Sequence, residues 1–526
     1  TGGYGGLYGD VVNLTHPLGM VDDNLMKRYS DNVKIFANAY VSVELMKGLK
    51  YKLNLTPDFQ FYRYNSYEGL FDFGLAKHDI TAVTEQQTRT RNILVENLLT
   101  FDRTFGDHKV SALVGYTYQD SRYRYMQGSG QGMPTGITEI DAASQGLAVS
   151  GNSSRSVLTS ILGRAFYSYK NRYLLTATIR RDGSSKFGSN YRYGNFPSVS
   201  VGWNIAEEDF VKNSVSWLDQ LKLRGGYGVL GNQEIDNYQY VSVVTTGINY
   251  PDGKSGLIQG AFPKTFANPD IKWEETAMTN VGIDFMALRN RLTLTADWYV
   301  KNTKDILLNV PIPISTGGAN DPIRNAGKIR NQGFEFNLGW NESLNKDLSY
   351  GVSFLGTYNK NEVVEMGAES QVITGGTIHG GTYTSRTLAG YPIGGFWLIP
   401  TDGYFNSTEE VQAHQKDGVL IQPSAEPGDI RFKDTNNDGT INDEDRVYCG
   451  SPFPKFTYSI NGNITYKNVD FSIGFQGVTG NKIYNATKLE LTDVTRGTNY
   501  LASTLDYWTP ENQNASSPRL IWTDPN

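Results

Sequence analysis

Twelve residues from Asp434 to Asp445, D-T-N-N-D-G-T-I-N-D-E-D, carry the densest chemistry in the sequence. Oxygen-bearing side chains occupy positions 1, 3 and 5 (Asp434, Asn436, Asp438), glycine occupies position 6 (Gly439), Thr440 offers a backbone carbonyl at position 7, and Asp445 supplies a carboxylate at position 12. That is the spacing of a calcium loop, in which hard oxygens gather round a hard cation and glycine makes the sharp turn. Crowding Asp434, Asp438 and Asp445 into one loop also costs repulsion that a divalent cation relieves. Magnesium suits the loop less, because it demands strict octahedral geometry and keeps several waters. Asp445 stands where glutamate is usual, with a shorter reach. The expectation is a structural calcium ion held by Asp434, Asn436, Asp438, Thr440 and Asp445; the competing expectation is a polar loop closed by Asx turns alone.

Other chemically capable residues are more scattered. Arg180, Arg181, Asp182, Asp297, Lys301, Lys304 and Asp305 fall on wet strand faces or at strand ends, where they either guide a charged substrate or pair with one another. Tyr238, Tyr240, Tyr250, Tyr383 and Trp397 lie in connections and are candidates for stacking on a substrate such as a sugar, although loop packing and aromatic girdles use the same residue types. Five His and one Cys give no zinc spacing, and no nucleophile elbow or phosphate loop is present, so an enzyme is not expected. Cys449 alone cannot form an intrachain disulfide. A net charge of −6 without a basic run gives no footing for nucleic acid.

The elements that must position these residues are strands. Arg172 to Arg181 alternates Tyr173, Leu175, Ala177 and Ile179 against Leu174, Thr176, Thr178 and Arg180, and Arg291 to Lys301 repeats the pattern. Many such strands of about 9–11 residues or more, with aromatics near their ends, describe an all-β transmembrane antiparallel barrel. The 56 Gly and 33 Tyr suit tight turns and rings at a lipid–water boundary. No apolar run reaches the roughly 20 residues of a membrane helix. About 14–16 long strands are expected. They begin near Val33 after a loop over residues 1–30, and the barrel portion occupies 31–526. Residues 365–450 break the rhythm with turns and a short helix near Glu409 to Gln415. Connections such as 170–171 and 467–468 are short, whereas 127–155, 231–269 and 365–450 are long, which places the long ones outside the cell. An open sheet would leave bare edges in lipid, and the T-G-G-Y-G-G start is no signal peptide, so further strands are expected before residue 1, after residue 526, or both.

Several segments resemble the SusC/RagA-like TonB-dependent transporters of Bacteroidetes outer membranes. They are R-R-D-G-S-S-K-F-G from Arg180, Y-R-Y-G-N-F-P-S-V-S-V-G-W from Tyr191, L-K-L-R-G-G-Y-G-V-L-G-N from Leu221, N-P-D-I-K-W-E-E-T from Asn268, G-Y-P-I-G-G-F-W from Gly390, G-D-I-R-F-K-D-T-N-N-D-G from Gly428, F-Q-G-V-T-G-N-K-I-Y-N from Phe475 and D-Y-W-T-P-E-N from Asp506. The resemblance implies a plugged barrel of about 22 strands, a size known among outer-membrane transporters. It also implies active import of a nutrient, a glycan oligosaccharide or a peptide, energised by a TonB complex and assisted by a SusD-like surface lipoprotein. No TonB box and no plug domain are found in this sequence. The alternative is an outer-membrane barrel serving as a structural or binding scaffold in a secretion or adhesion complex; a soluble β-sandwich is a further alternative on the strand pattern alone.

Overall fold

A computed structural model describes residues 18–521, apart from residue 24 and the stretches 73–76, 254–255, 311–314, 316–320, 368–371, 379–381 and 495–499. Its body is one fifteen-stranded antiparallel sheet, within the expected strand count. The strands are β1 (Met26–Phe36), β2 (Ala39–Met46), β3 (Leu49–Glu68), β4 (Ala82–Phe105), β5 (His108–Gln131), β6 (Gln145–Tyr169), β7 (Tyr173–Ser184), β8 (Tyr193–Asn204), β9 (Leu218–Asn232), β10 (Glu274–Ala287), β11 (Leu292–Lys304), β12 (Lys328–Ser343), β13 (Leu348–Glu365), β14 (Phe456–Tyr466) and β15 (Val469–Thr479). Each pairs with its chain neighbours, except that β1 and β2 lie end to end along β3. Among the described residues the sheet stays open between the β1/β2 edge and β15.

β1 and β2 keep a single register on β3, with Phe36 opposite Asp58 and Ala39 opposite Leu55. The gap between them falls opposite Pro57. Its carbonyl accepts from the Ala37 N–H at 3.1 Å, but proline has no N–H to return the bond. The strand run that begins near Val33 is therefore split by a missing donor on its partner.

Residues directly opposite one another share a face, so the register sorts every side chain. Leu175, Val201, Gly225, Val281, Trp298, Phe334, Tyr358 and Phe456 form one row across eight strands. The adjacent row is Thr176, Ser200, Gly226, Asn280, Tyr299, Gly333 and Asn359. One face is apolar and the other polar. Val201 at 55 %, Val281 at 54 % and Trp298 at 49 % exposure are open to the surroundings, and a belt of such residues is the lipid-facing surface of a barrel whose polar face lines the lumen.

The turns sort equally cleanly. At one end the strands join through 47–48, 106–107, 170–172, 205–217, 288–291, 344–347 and 467–468, and at the other through 69–81, 132–144, 185–192, 233–273, 305–327 and 366–455. Lys170 and Asn171 take φ of 51° and 55°, a left-handed pair that reverses the chain tightly, closed by the Arg172 N–H donating to the Tyr169 carbonyl at 2.9 Å. Only 205–217 among the former carries a helix, α1 (Asp209–Lys212). By the usual asymmetry of outer-membrane barrels the short turns mark the periplasmic rim.

Two expectations need correction. The loop expected over 127–155 is mostly ladder: β5 runs to Gln131, β6 starts at Gln145, and only 132–144 connects them. Polar, Gly-rich strands that project beyond lipid lack the alternation that betrays a strand, and neighbours of matching length hold them. Likewise β1 begins at Met26, inside the expected starting loop, with Arg28 paired to Glu68 at 2.9 Å. Residues 1–17 lie outside the described residues.

Val281→Arg, at mid-height of the apolar row, should lower stability in a bilayer by roughly 2–4 kcal/mol, whereas Ser200→Lys on the polar row should cost under about 1 kcal/mol. Urea unfolding in lipid vesicles reads both, and equal losses would reverse the assignment of the faces.

Candidate functional site: lumen and external rim

Across the lumen face runs an ion-pair network built on a missing side chain. Arg224 of β9, Gly282 of β10 and Asp297 of β11 stand directly opposite one another. The Arg224 Nη1 and Nη2 atoms donate to the two Asp297 carboxylate oxygens at 2.6 Å each, and its Nε donates to Asp284 at 3.2 Å. The guanidinium passes over Gly282 to get there. A Cβ at that position would meet Asp297 Oδ1 at 2.4 Å and Arg224 Cζ at 2.7 Å. All three charged groups are half-buried, and planar bidentate pairing is what arginine does best with carboxylates. A second lumen pair joins Arg180 Nε to Asp182 at 2.6 Å, with Arg180 Nη2 donating to Ser160 Oγ at 2.9 Å. Of the charged residues singled out in the sequence, Arg180, Asp182 and Asp297 thus form pairs on the lumen face. Lys304 pairs with Glu275 at 2.9 Å and Asp305 with Lys272 at 3.0 Å near the external strand ends, while Arg181 stacks on Tyr193, 4.9 Å from the ring.

Above the lumen lies a core that the sequence reading missed. Phe187, Phe196, Ile235, Ile271 and Trp273 bury one another. Trp273 lies 5.1 Å from the Phe187 ring and 5.4 Å from the Phe196 ring, and its Nε1 donates to the Arg192 carbonyl at 3.2 Å. Side chains from four of the quoted segments meet here, and a Cβ on Gly231 would strike the Phe196 ring at 2.1 Å. The signal was present in the sequence as large apolar residues inside Gly- and Asn-rich connections. It carried no period because the residues come from different loops.

Residues 366–455 fold as a small unit on the rim. Ile373–Thr374, Ser385–Thr387, Gly395–Leu398 and Val447–Gly450 form a four-stranded sheet, and α2 (Thr408–Ala413) packs Val411 with Phe405 and Ala425. The helix confirms the one expected near Glu409 to Gln415, and Ser407 caps it by accepting from the Glu410 N–H. The tail of the chain docks on this unit: Arg519 Nε donates to Asp429 at 2.6 Å, and buried Trp508 donates to Asn406 at 3.1 Å.

The 434–445 loop belongs to the same unit. Asp434 accepts from the N–H groups of Asp438 and Gly439 at 3.1 and 2.7 Å. Asp438 accepts from the Thr440 N–H and hydroxyl, both at 2.8 Å, and from the Asn436 amide at 2.9 Å. Donors from Asn436 and then Thr440 hold the Asp438 carboxyl down to about 2. Gly439 takes φ of 93°, the turn for which glycine was expected. Asp445 is fully buried, and its two oxygens accept from the Thr435 and Asn442 N–H groups at 2.7 and 2.8 Å. Among the described residues no three His, Cys, Asp or Glu side chains are gathered to hold a metal. Asp434, Asn436, Asp438, Thr440 and Asp445 are thus brought into one loop, joined by Asx turns and a capping box.

The aromatic candidates divide between two places. The Tyr238 hydroxyl accepts from the Arg155 N–H at 3.1 Å and donates to the Arg155 carbonyl at 3.3 Å, capping β6 beyond the end of β7. Tyr240 packs against the Phe187–Trp273 core. Tyr250 is exposed on the hairpin Val244–Pro251/Leu257–Pro263. Trp397 sits in the rim sheet, 4.8 Å from Tyr391 and 5.7 Å from Tyr448, and Tyr383 donates to Asp443 at 3.1 Å. No single binding surface gathers these side chains.

The sequence matches the family model for the TonB dependent receptor-like β-barrel over residues 4–516. The chain belongs to the TonB-dependent receptor family. TonB-dependent receptor P3 of Formosa agariphila is 30 % identical over 96 % of this chain and 50 % of its own length. TonB-dependent receptor SusC of Bacteroides thetaiotaomicron is 33 % identical over 63 % of this chain and 32 % of its length. The solved RagAB peptide transporter superposes with a TM-score of 0.81 at 22 % identity, covering 96 % of this chain and 54 % of that one, a likeness of fold. The chain spans about half the length of the relatives it matches at full coverage. A SusC/RagA-like barrel in the outer membrane, as the sequence motifs implied, is thereby established.

In this receptor barrel Gly282→Ala should push Arg224 off Asp297 and cost roughly 1–3 kcal/mol in thermal unfolding, since two half-buried carboxylates lose their shared cation. An unchanged melting point would show the network to be inert. For the rim loop, Asp438 has a folded value of about 2 against 3.8 when free. Its stabilisation is complete above about pH 4 and is lost as pH falls through about 2. Hydrogen exchange at Thr440 should therefore rise only in that acid window.

Proposed function

We propose that this barrel imports a nutrient across the outer membrane, in the manner of SusC-like receptors, with energy from TonB and with a SusD-like lipoprotein seated on the external rim. The observation that carries the reading is the division of the sheet into an apolar outer belt and a polar inner face lined by Arg224, Asp284, Asp297, Arg180 and Asp182, capped externally by the folded unit of 366–455. Such a lumen offers hydrogen bonds and ion pairs to a polar solute, as a carrier requires. The name of the RagAB peptide transporter favours a peptide, but that likeness is one of fold, so the cargo class, glycan oligosaccharide or peptide, is decided by uptake.

Calcium at 434–445 belongs to the same proposal. It rests on the spacing of Asp434, Asn436, Asp438, Thr440 and Asp445, beside a hydrogen-bond network that already closes the loop. A calcium ion there should protect the loop from protease in a way that EDTA reverses; protection that is equal with and without EDTA would leave the Asx turns as its whole support.

Deletion of the gene in its host, followed by uptake of fluorescent oligosaccharides and peptides, tests the main reading. Import of one class should fall to background, and should fall equally when TonB is removed. Uptake of both classes at wild-type rates in the deletion strain would sink it and favour the scaffold.

A further inference from the structure

The densest positive charge in the described residues lies neither in the lumen nor on the rim unit. Arg91 of β4 stands directly opposite Arg122 of β5, which stands directly opposite Arg155 of β6. In the next row outward, Arg89 stands directly opposite Arg124. Like charges in directly opposed positions destabilise a sheet, so these rows carry a cost that something must offset. Asp120 meets part of it, at 3.0 Å from Arg155, 3.2 Å from Arg122 and 3.7 Å from Arg91. Arg89 rests on the Phe61 ring at 5.4 Å, and among the described residues neither Arg89 nor Arg124 has a carboxylate in ion-pair range. The buried Nε of Arg91 has no acceptor.

Register fixes which side of the wall the cluster is on. On β5 the side chains of Val114, Tyr116, Tyr118, Asp120, Arg122 and Arg124 follow one another on one face, and Tyr116 is directly opposite Ile161. Ile161 lies opposite Arg181, on the same face as Ile179 and Leu175 and hence as the apolar row. The arginines therefore point away from the lumen, toward the membrane, and at the external end. At a rise of about 3.3 Å per residue and a strand tilt of ~40°, Arg122 stands roughly 10 Å above Tyr118. That is the interfacial layer just beyond the hydrocarbon. There Arg89, Arg91, Arg122, Arg124, Arg155 and Tyr238 line a recess of about 440 Å³.

We infer that this recess binds the phosphate of an outer-leaflet lipid head group, so that the barrel holds a phosphorylated lipid at a fixed place on its wall. Guanidinium groups pair bidentately with phosphate and present it several N–H donors at once. An anion between the rows removes the like-charge repulsion that Asp120 leaves. The acyl chains of the same molecule would run down the belt formed by Ile93, Val95, Val114 and Ile161, directly below the recess on the same face. A soluble anion would gain the charge but not that belt. The inference rests on the placement of the barrel in the outer membrane and not on what it transports.

The test uses the whole receptor purified in detergent and doped with diphosphoryl lipid A, enzymatically dephosphorylated lipid A, or inorganic phosphate alone. Titration followed by native mass spectrometry should show diphosphoryl lipid A retained and the dephosphorylated form weakly held. Arg89→Gln with Arg124→Gln leaves Asp120 and its partners in place and should weaken retention roughly 30-fold, at about one interfacial charge's contribution per arginine. The same pair of changes should raise the melting point in pure detergent, by relieving repulsion, and remove the stabilisation that lipid A gives the unaltered protein. Should that variant fold poorly, Arg89→Lys with Arg124→Lys keeps the charge and should retain the lipid at an intermediate affinity. Equal retention of phosphorylated and dephosphorylated lipid, or full retention by the Gln variant, would overturn the inference. Inorganic phosphate stabilising the protein as well as lipid A does would replace the lipid with a free anion and overturn it too.

Discussion

Every peptide group that crosses hydrocarbon must find its partner inside the protein, because no water is there to take a missed hydrogen bond. The sheet obeys this from β1 to β15 by pairing each strand along an antiparallel neighbour, and the departures are instructive. Pro57 removes one donor, and the edge strand parts at that point into β1 and β2 without losing register. β6 outruns β7 at its external end, and a tyrosine hydroxyl, that of Tyr238, serves as donor and acceptor where strand is absent. Both places show the ladder being completed or conceded locally while the global pairing holds.

The same constraint forces alternation, and alternation divides labour. Once the outer face is given over to lipid, charge can enter a membrane strand only through the inner face or beyond the hydrocarbon margin. Arg224 takes the first route and needs Gly282 to reach Asp297; the arginines of β4, β5 and β6 take the second. Small residues are therefore as much a part of the lumen chemistry as the ions, since a single methyl group at Gly282 would occupy the path of the guanidinium.

How far the sequence foretold this depends on how local each signal is. Strand existence, turn position and facing were legible because they repeat every second residue: Tyr173 to Ile179 and Leu292 to Val300 face as expected, and Lys170-Asn171 and Lys467-Asn468 turn where expected. The projecting ends of β5 and β6 were illegible because polar glycine-rich strand outside lipid has no alternation to show. The Phe187–Trp273 core and the arginine rows were illegible for another reason: their members come from separate segments, and only the register brings them together. The 434–445 loop lay between these cases. Its glycine turn and Asx pattern were local and correctly read, while the burial of Asp445 against the Thr435 and Asn442 N–H groups depended on how the loop folds back on itself.

The most recognisable segments supply packing as well as lumen charge. Phe187, Phe196, Val229, Ile271 and Trp273, drawn from the segments that carry the family resemblance, end in one hydrophobic cluster at the external end of the wall. Gly428, whose φ of 96° brings it against Trp508, joins two more of those segments on the rim unit. Such positions tolerate few alternatives, because close packing punishes a change of even one methylene, so they would mark the scaffold whatever the cargo. A solute-binding surface is under the opposite pressure: it must differ wherever the cargo differs. The residues that select a substrate in this barrel are therefore to be sought on the lumen face and on the connections whose side chains the packing clusters do not use, and a motif shared across the family is an argument for architecture before it is an argument for what passes through.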